Sequence, residues 1–174
     1  MSAAGASVHA SAVLVGQRAV LIRGPSGAGK SRLAFDLLLA GCSGQLPEAV
    51  LIGDDRVHLD THAGQLMVRP ARELAGLIEI RGLGIRRCAF AKEAIVGLVV
   101  DLSAEDAERL PGPAALLTEI YGIKIPRIPV EVGYAALPLV VAALTMTAIS
   151  SATPRSADCS KGIGNHINLT IATE

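Results

Sequence analysis

Apolar positions along this chain come in short runs broken by glycine, proline and paired acids, and only one stretch carries a clear helical repeat. Ala19-Val20-Leu21-Ile22 is a short β-branched apolar run that predicts a buried strand. Before it, residues 8–15 alternate weakly and stop at Gly16-Gln17, so the two segments read as a hairpin. Leu33, Phe35, Leu37, Leu38 and Leu39 recur at helical spacing. The helix they predict starts near Lys30 and ends at Gly41-Cys42-Ser43-Gly44, where glycine accepts the left-handed conformation of a helix stop. Ala49-Val50-Leu51-Ile52 is a second buried strand and runs into Gly53-Asp54-Asp55.

Farther along, Val57, Leu59, Leu66 and Val68 alternate around Thr61-His62-Ala63-Gly64, which reads as a hairpin with a glycine turn. In residues 77–85 the alternation sets Glu79 and Arg81 on one face and Ile78 and Ile80 on the other, and two glycines then free the backbone. Residues 94–102 form another apolar strand. Ser103-Ala104-Glu105-Asp106 looks like a capping box and predicts one or two helical turns before Pro111-Gly112-Pro113. Prolines at 126 and 129 make residues 123–132 an extended edge or linking strand. The long apolar run 134–149 reads as a buried helix, and the Ser-, Thr-, Gly- and Asn-rich stretch 150–174 as a loosely held tail. Many short hairpin-like segments beside one strong helix fit an α/β domain with a mixed sheet over residues 1–149.

Composition narrows the partners more than the fold. At 174 residues and 51% hydrophobic content there is room for one domain with a proper core. The formal net charge is zero, with 16 basic and 16 acidic residues, so no global field draws in nucleic acid or an anionic membrane. Aromatic content of 2% with no Trp removes the usual base-stacking platforms. The 134–149 run falls short of the roughly 20 residues needed to span a bilayer. Residues 1–16 lack a basic segment and carry His9 where a signal sequence is apolar, so no signal peptide is expected. Cys42, Cys88 and Cys159 are odd in number and share no C-x-x-C spacing, which points to a reducing, cytoplasmic setting.

Chemistry enters with Gly24-Pro25-Ser26-Gly27-Ala28-Gly29-Lys30-Ser31, a match to the phosphate-binding P-loop pattern at a strand-to-helix junction. Its glycines let the backbone aim N–H groups at phosphate oxygens, Lys30 adds a point charge, and Ser31 offers a hydroxyl to Mg²⁺. A helix starting near Lys30 sets its positive end under the phosphates. Asp54 and Asp55 end a strand, the position from which an acid reaches the metal or its water, although two such residues also suit an ordinary solvated turn. His9 is a lone histidine at a strand position, read either as a satisfied polar neighbour or as a functional group. His58 and His62 are assigned no role, since a strand and turn would not aim them at one metal.

Three segments together resemble the bifunctional HPr kinase/phosphorylase family of bacteria: the loop Gly24 to Ser31, the Asp54-Asp55 pair, and Leu77-Ile78-Glu79-Ile80-Arg81-Gly82-Leu83-Gly84-Ile85. The last string is close to diagnostic of that family, whereas the P-loop is widely shared. His9 also falls where the family has a functional histidine. The similarity covers residues 8–146, the family's C-terminal catalytic domain, and so looks like a short form.

The resemblance implies transfer of the γ-phosphate of ATP to a regulatory serine of HPr, the phosphocarrier of the sugar phosphotransferase system. It also implies a reverse reaction in which phosphate attacks the phosphoserine and releases pyrophosphate. Carried over, Lys30 holds the β- and γ-phosphates, Ser31 and Glu79 serve Mg²⁺, and His9 lies near the transferred group. Either Asp54 or Asp55 is the general base. Arg81 either holds the acceptor phosphate or pairs with an acid. A phosphoenolpyruvate carboxykinase-like sheet and a homo-oligomer, a hexamer in the family, are implied in the same way. Two departures fall on the phosphorylase half. Tyr134-Ala135 stand where the family has Arg-Asn, and the family's C-terminal helix has no match after Ser150. A P-loop small-molecule kinase and a nucleotide-binding sensor without catalysis are the competing readings.

Overall fold

The computed structural model describes residues 6–146. In chain order these form strands β1 (Ala6–Val8), β2 (Ser11–Val15) and β3 (Arg18–Arg23), helix α1 (Lys30–Cys42), strands β4 (Ala49–Gly53), β5 (Val57–His62), β6 (Gln65–Pro70), β7 (Leu77–Ile80), β8 (Gly84–Arg87), β9 (Ala94–Leu102), β10 (Leu117–Ile120) and β11 (Ile123–Val130), and helix α2 (Ala136–Thr145). Nine strands join in one mixed sheet, in the order β1-β5-β6-β9-β3-β2-β4, with β11 beside β9 and β10 beyond it. β7 and β8 make a separate two-stranded ribbon. The mixed α/β architecture expected from the short hairpin-like segments is therefore the one that forms.

Strand direction places the chemistry. β9 runs parallel to β3, and β11 parallel to β9. β4 and β3 are each antiparallel to β2, which lies between them, so β4 points the same way as β3. The C-terminal ends of β3, β4, β9 and β11 consequently share one edge of the sheet. The glycine loop, the Asp54-Asp55 pair and Asp101 all lie along that edge.

Both faces of the central strands are covered, which is why β3 and β4 read as continuous apolar runs, whereas β5 and β6 alternate. Val20 and Ile22 of β3 pack with Leu33 and Leu37 of α1 and Val140 of α2. Ala19 and Leu21 face the other way, toward Val57, Leu59, Leu66 and Val68, so the β5–β6 end of the sheet curls over the face opposite the helices. Leu21, Ile22, Leu37, Leu51 and Ile52 are fully buried, each worth about 1.5–3 kcal/mol of apolar transfer.

The expected turns hold in detail. β2 meets β3 across Gly16-Gln17, with Val15 opposite Arg18. Ala63 and Gly64 both take positive φ, 49° and 74°, the geometry of a tight two-residue hairpin between β5 and β6.

Several expectations are corrected. Residues 8–15 are not one strand, because β1 pairs with β5 while β2 inserts between β3 and β4. The backbone must leave the sheet to change partners, and His9 lies in that bend rather than on a strand. Residues 103–110 form turns, not a helix. Ser103 sits at φ 59°, the Ala104 amide donates to the Val130 carbonyl, and Asp106 is held by Arg127, so tertiary partners displace the capping box. β11 is the linking alternative: residues 123–126 pair with β10 and residues 127–130 with β9, so Pro126 and Pro129 each have a ladder on one side only. α2 begins at Ala136, which puts Pro138 in its first turn where no amide is missed. It buries one face through Ala136 and Val140, leaves Leu144 40% exposed, and so is not wholly buried. Residues 147–149 and the expected tail 150–174 lie outside the described residues. No helix among the described residues is long and apolar enough to cross a membrane.

Candidate active site

The loop from Gly24 to Gly29 connects β3 to α1, as its sequence predicts. Gly24 needs its freedom twice over. Its φ is 150°, and a Cβ there would lie 2.9 Å from the Leu102 carbonyl oxygen. Gly27 and Gly29 take φ of 80° and 96° with open space around them. α1 starts directly after Gly29 with no side-chain cap and no acid in its first turn, which leaves its amides and its positive end open to an anion.

Lys30 is 6% exposed, and its Nζ donates to the carbonyls of Gly24 and Pro25, 2.9 Å each. Burial lowers the pKa of this amine, while Asp55 and then Asp54 pull it back up. The ammonium is thus held against the loop it would serve.

The structure divides the acid pair. Asp54 is 3% exposed, accepting the Ser11 hydroxyl at Oδ1 (2.6 Å) and the Glu79 amide at Oδ2 (3.1 Å). Asp55 has φ 65°, which an aspartate tolerates better than most residues, and its side chain is 66% exposed. Its Oδ1 lies 3.1 Å from His9 Nε2, which brings the bend before β2 to the end of β4.

A cleft of about 500 Å³ lies between α1 and the β7–β8 ribbon, and His9, Lys30, Ser31, Asp55, Glu79 and Arg81 open onto it. Ser26, Gly27, Gly29 and Ile80 also line it, with Phe35 and Leu39 of α1 as an apolar wall. Gly24, Pro25 and Ala28 do not line it. Gly82, Leu83 and Gly84 make the turn of the ribbon: the glycines have φ of 89° and 78°, Leu83 is 61% exposed, and none of the three reaches the cleft. As alternation predicted, Ile78 is buried and Glu79 exposed.

Sequence reasoning missed Ser11, which is fully buried and holds Asp54. It also missed a charge network at the same sheet edge, where Asp101 accepts from both Arg23 and Arg127. Its one visible signal was an aspartate next to the end of the apolar run 94–102.

A glycine loop at a helix N-terminus, faced by one tied and one open carboxylate, is suited to anionic phosphate and to proton removal beside it. The comparisons agree in class. The chain belongs to the HPr kinase family: the model for "HPr Serine kinase C-terminal domain" matches residues 2–159. It is 36% identical over 156 residues to the HPr kinase/phosphorylase of Enterococcus faecalis, covering 82% of this chain and 48% of that protein. It is 37% identical over 143 residues to that of Streptococcus thermophilus, covering 73% and 43%. The chain therefore spans about half the length of the curated relatives it matches. Among solved structures, the Hpr(Ser) kinase/phosphatase from Coxiella burnetii superposes with TM-score 0.62 at 26% identity, covering 80% of this chain and 93% of that one.

Proposed function

We propose that this chain is a catalytic domain that transfers the γ-phosphate of ATP to a serine of the phosphocarrier HPr. The observation that carries the reading is the open Asp55 carboxylate, held by His9 and sharing the cleft with Lys30 and the N-terminus of α1. In this reading the loop amides and Lys30 neutralise the phosphates, as a loose phosphoryl-transfer transition state requires. His9 Nε2, 3.1 Å from Oδ1 of Asp55, would steady that oxygen. The other oxygen accepts the serine proton as the serine O–P bond forms and the bond to the ADP oxygen breaks. Asp54 is the less suited base of the two, because it is buried and each of its oxygens already accepts a hydrogen bond.

Mg²⁺ is taken by one or two carboxylates together with substrate phosphates. The Ser31 hydroxyl and Glu79 carboxylate, both on the cleft, fit that donor set and would hold the ion, which supplies further charge neutralisation. Arg81, in the same cleft, is suited to hold the acceptor phosphate.

Run backwards, an oxygen of inorganic phosphate attacks the phosphoserine phosphorus, the serine O–P bond breaks as the P–O–P bond forms, and the serine oxygen takes the proton held by Asp55, so that serine and pyrophosphate leave. The catalytic unit is residues 1–149, of the phosphoenolpyruvate carboxykinase-like kind and working as a homo-oligomer in the cytoplasm. Incubation with labelled ATP, Mg²⁺ and purified HPr tests the reading. Label on an HPr serine is the expected result; label on a small metabolite, or nucleotide binding with no transfer, overturns it. Pyrophosphate release from phosphoserine-HPr and phosphate tests the reverse direction.

A further inference from the structure

Three parallel strands, β3, β9 and β11, are tied near the active edge by one carboxylate. Arg23, the last residue of β3 and the one before Gly24, lies opposite Asp101 of β9 in the ladder. Its guanidinium grips that carboxylate with both teeth, Nε to Oδ1 at 2.7 Å and Nη2 to Oδ2 at 2.8 Å. From the other side Arg127 of β11 donates Nε to Oδ2 at 2.5 Å. Arg127 then turns its remaining nitrogens to Asp106, at 2.6 and 2.9 Å, and to the Ala115 carbonyl at 3.0 Å, fastening the irregular segment between β9 and β10.

An acid at the end of the strand beside a phosphate-loop strand is where many nucleotide-binding proteins keep a metal-binding aspartate. Here both oxygens are occupied by fixed cations. Asp101 is only 16% exposed and Arg127 13%, so water does not readily replace those contacts. The next residue, Leu102, forms the wall against which Gly24 turns: its carbonyl oxygen and Cβ lie 2.9 and 3.0 Å from where a Cβ of Gly24 would be. The clamp therefore acts on the entry to the loop from two sides, through Arg23 before Gly24 and through Leu102 beneath it.

We infer that Asp101 is a positioning residue for the phosphate loop: by locking Arg23 against Arg127 it sets where the chain leaves β3, and with that the affinity for nucleotide phosphates. The inference rests on the proposed nucleotide site but not on the identity of the phosphate acceptor. A fork of two parallel charge-assisted bonds fixes geometry as well as energy, and an amide cannot satisfy two guanidiniums at once.

The test is direct titration of the purified chain with ATP in excess Mg²⁺, repeated across Mg²⁺ concentrations, with a thermal melt of each variant. Asp101→Asn weakens ATP binding about tenfold, the loss expected for a charge-assisted bond, while the Mg²⁺ midpoint stays put. Asp101→Glu, which keeps the charge, recovers most of the affinity. Asp106→Asn frees the outer segment but spares the clamp, and leaves affinity unchanged. If Asp101→Asn does not fold, Arg23→Lys replaces it, keeping the charge while losing the fork, with the same weakening expected. A folded variant binding ATP like the parent overturns the inference, and so does a shift of the Mg²⁺ midpoint with ATP affinity unchanged, which would make Asp101 a metal acid. Failure of the unaltered chain to bind ATP at all would instead remove the functional reading.

Discussion

Replacing each member of the acid pair by asparagine separates base from scaffold. Asp55→Asn removes the proposed proton acceptor while changing little else in the fold. The side chain is 66% exposed, its one ion pair is with His9, and asparagine tolerates φ 65° as aspartate does. Its stability should stay within about 0.5 kcal/mol of the parent, as for exposed substitutions elsewhere. Turnover should fall by about 10²–10⁴, the usual worth of a positioned general base.

Asp54→Asn behaves in the opposite way. The amide can still accept from the Glu79 amide and donate to Ser11 Oγ, so the buried bonds survive as neutral ones and the charge assistance is lost. That costs about 1–2 kcal/mol, because charge-assisted bonds are roughly twice as strong. At about 2–4 °C per kcal/mol for a chain of this size, Tm should drop by about 2–8 °C. Turnover should fall less than tenfold, since Glu79 keeps its backbone anchor. Initial rates of labelled phosphate transfer to HPr, with a urea or thermal melt of each variant, measure both quantities. Asp55→Asn retaining turnover near the parent's, or Asp54→Asn losing turnover without losing stability, would refute the division of roles.

Lys30→Ala should abolish transfer and weaken ATP binding at least about a hundredfold, since it strips preorganised charge from the loop, and calorimetric titration reads this. Ser11→Val leaves Asp54 one donor short and should lower unfolding free energy in urea by about 1.5–3 kcal/mol, whereas Ser11→Thr keeps the hydroxyl and should lie near the parent. Acid sensitivity should trace to Asp101: burial pushes its carboxyl up, but the hydrogen bonds and charges of Arg23 and Arg127 outweigh that and hold it below the ordinary range. Because its folded value lies under the unfolded one of about 3.9, its stabilisation is present above that pH and is lost as pH falls through the folded value. The stability gap between the parent and Asp101→Asn should therefore narrow below about pH 4 in urea titrations at successive pH values.

What the sequence made legible is what local chemistry decides. The loop needs eight consecutive residues, the first strands need four apolar ones each, and the Ala63-Gly64 turn needs two residues that accept positive φ. What stayed hidden depends on partners far along the chain. Ser11 meets Asp54 across 43 positions and Arg23 meets Asp101 across 78, and no spacing rule joins them. The capping box at Ser103 is a sound local signal that loses to Arg127, 21 positions beyond the Asp106 it captures. β10 was missed because its residues, Leu117 to Ile120, are partly or largely exposed and carry no buried face to mark them. Asp54 and Asp55 look alike in sequence; the donors from Ser11 and Glu79 that hold Asp54 in the core and the positive φ of Asp55 beside the cleft appear only in the fold.

That division has an electrostatic consequence for the whole edge. In the proposed reaction ATP would arrive with several negative charges, and every unpaired carboxylate near its path would repel it in a cleft where screening is weaker than in bulk water. Most acids around the loop are already compensated. Asp54 has two donors, Asp101 two guanidiniums, and Asp36 the Arg32 guanidinium at 2.9 Å. Glu79 and Asp55 are the acids that open onto the cleft with no arginine or lysine bonded to them among the described residues, and Asp55 carries only the His9 contact. Negative charge is thus left open at the two positions where the proposed reaction uses it, one for a metal ion and one for a proton. Neutralising Asp55 should accordingly tighten ATP binding somewhat while it slows transfer, a KM-against-kcat split that loss of structure would not produce. Equal losses in ATP affinity and turnover for Asp55→Asn would count against this electrostatic account, even if Asp55 proved to be the base.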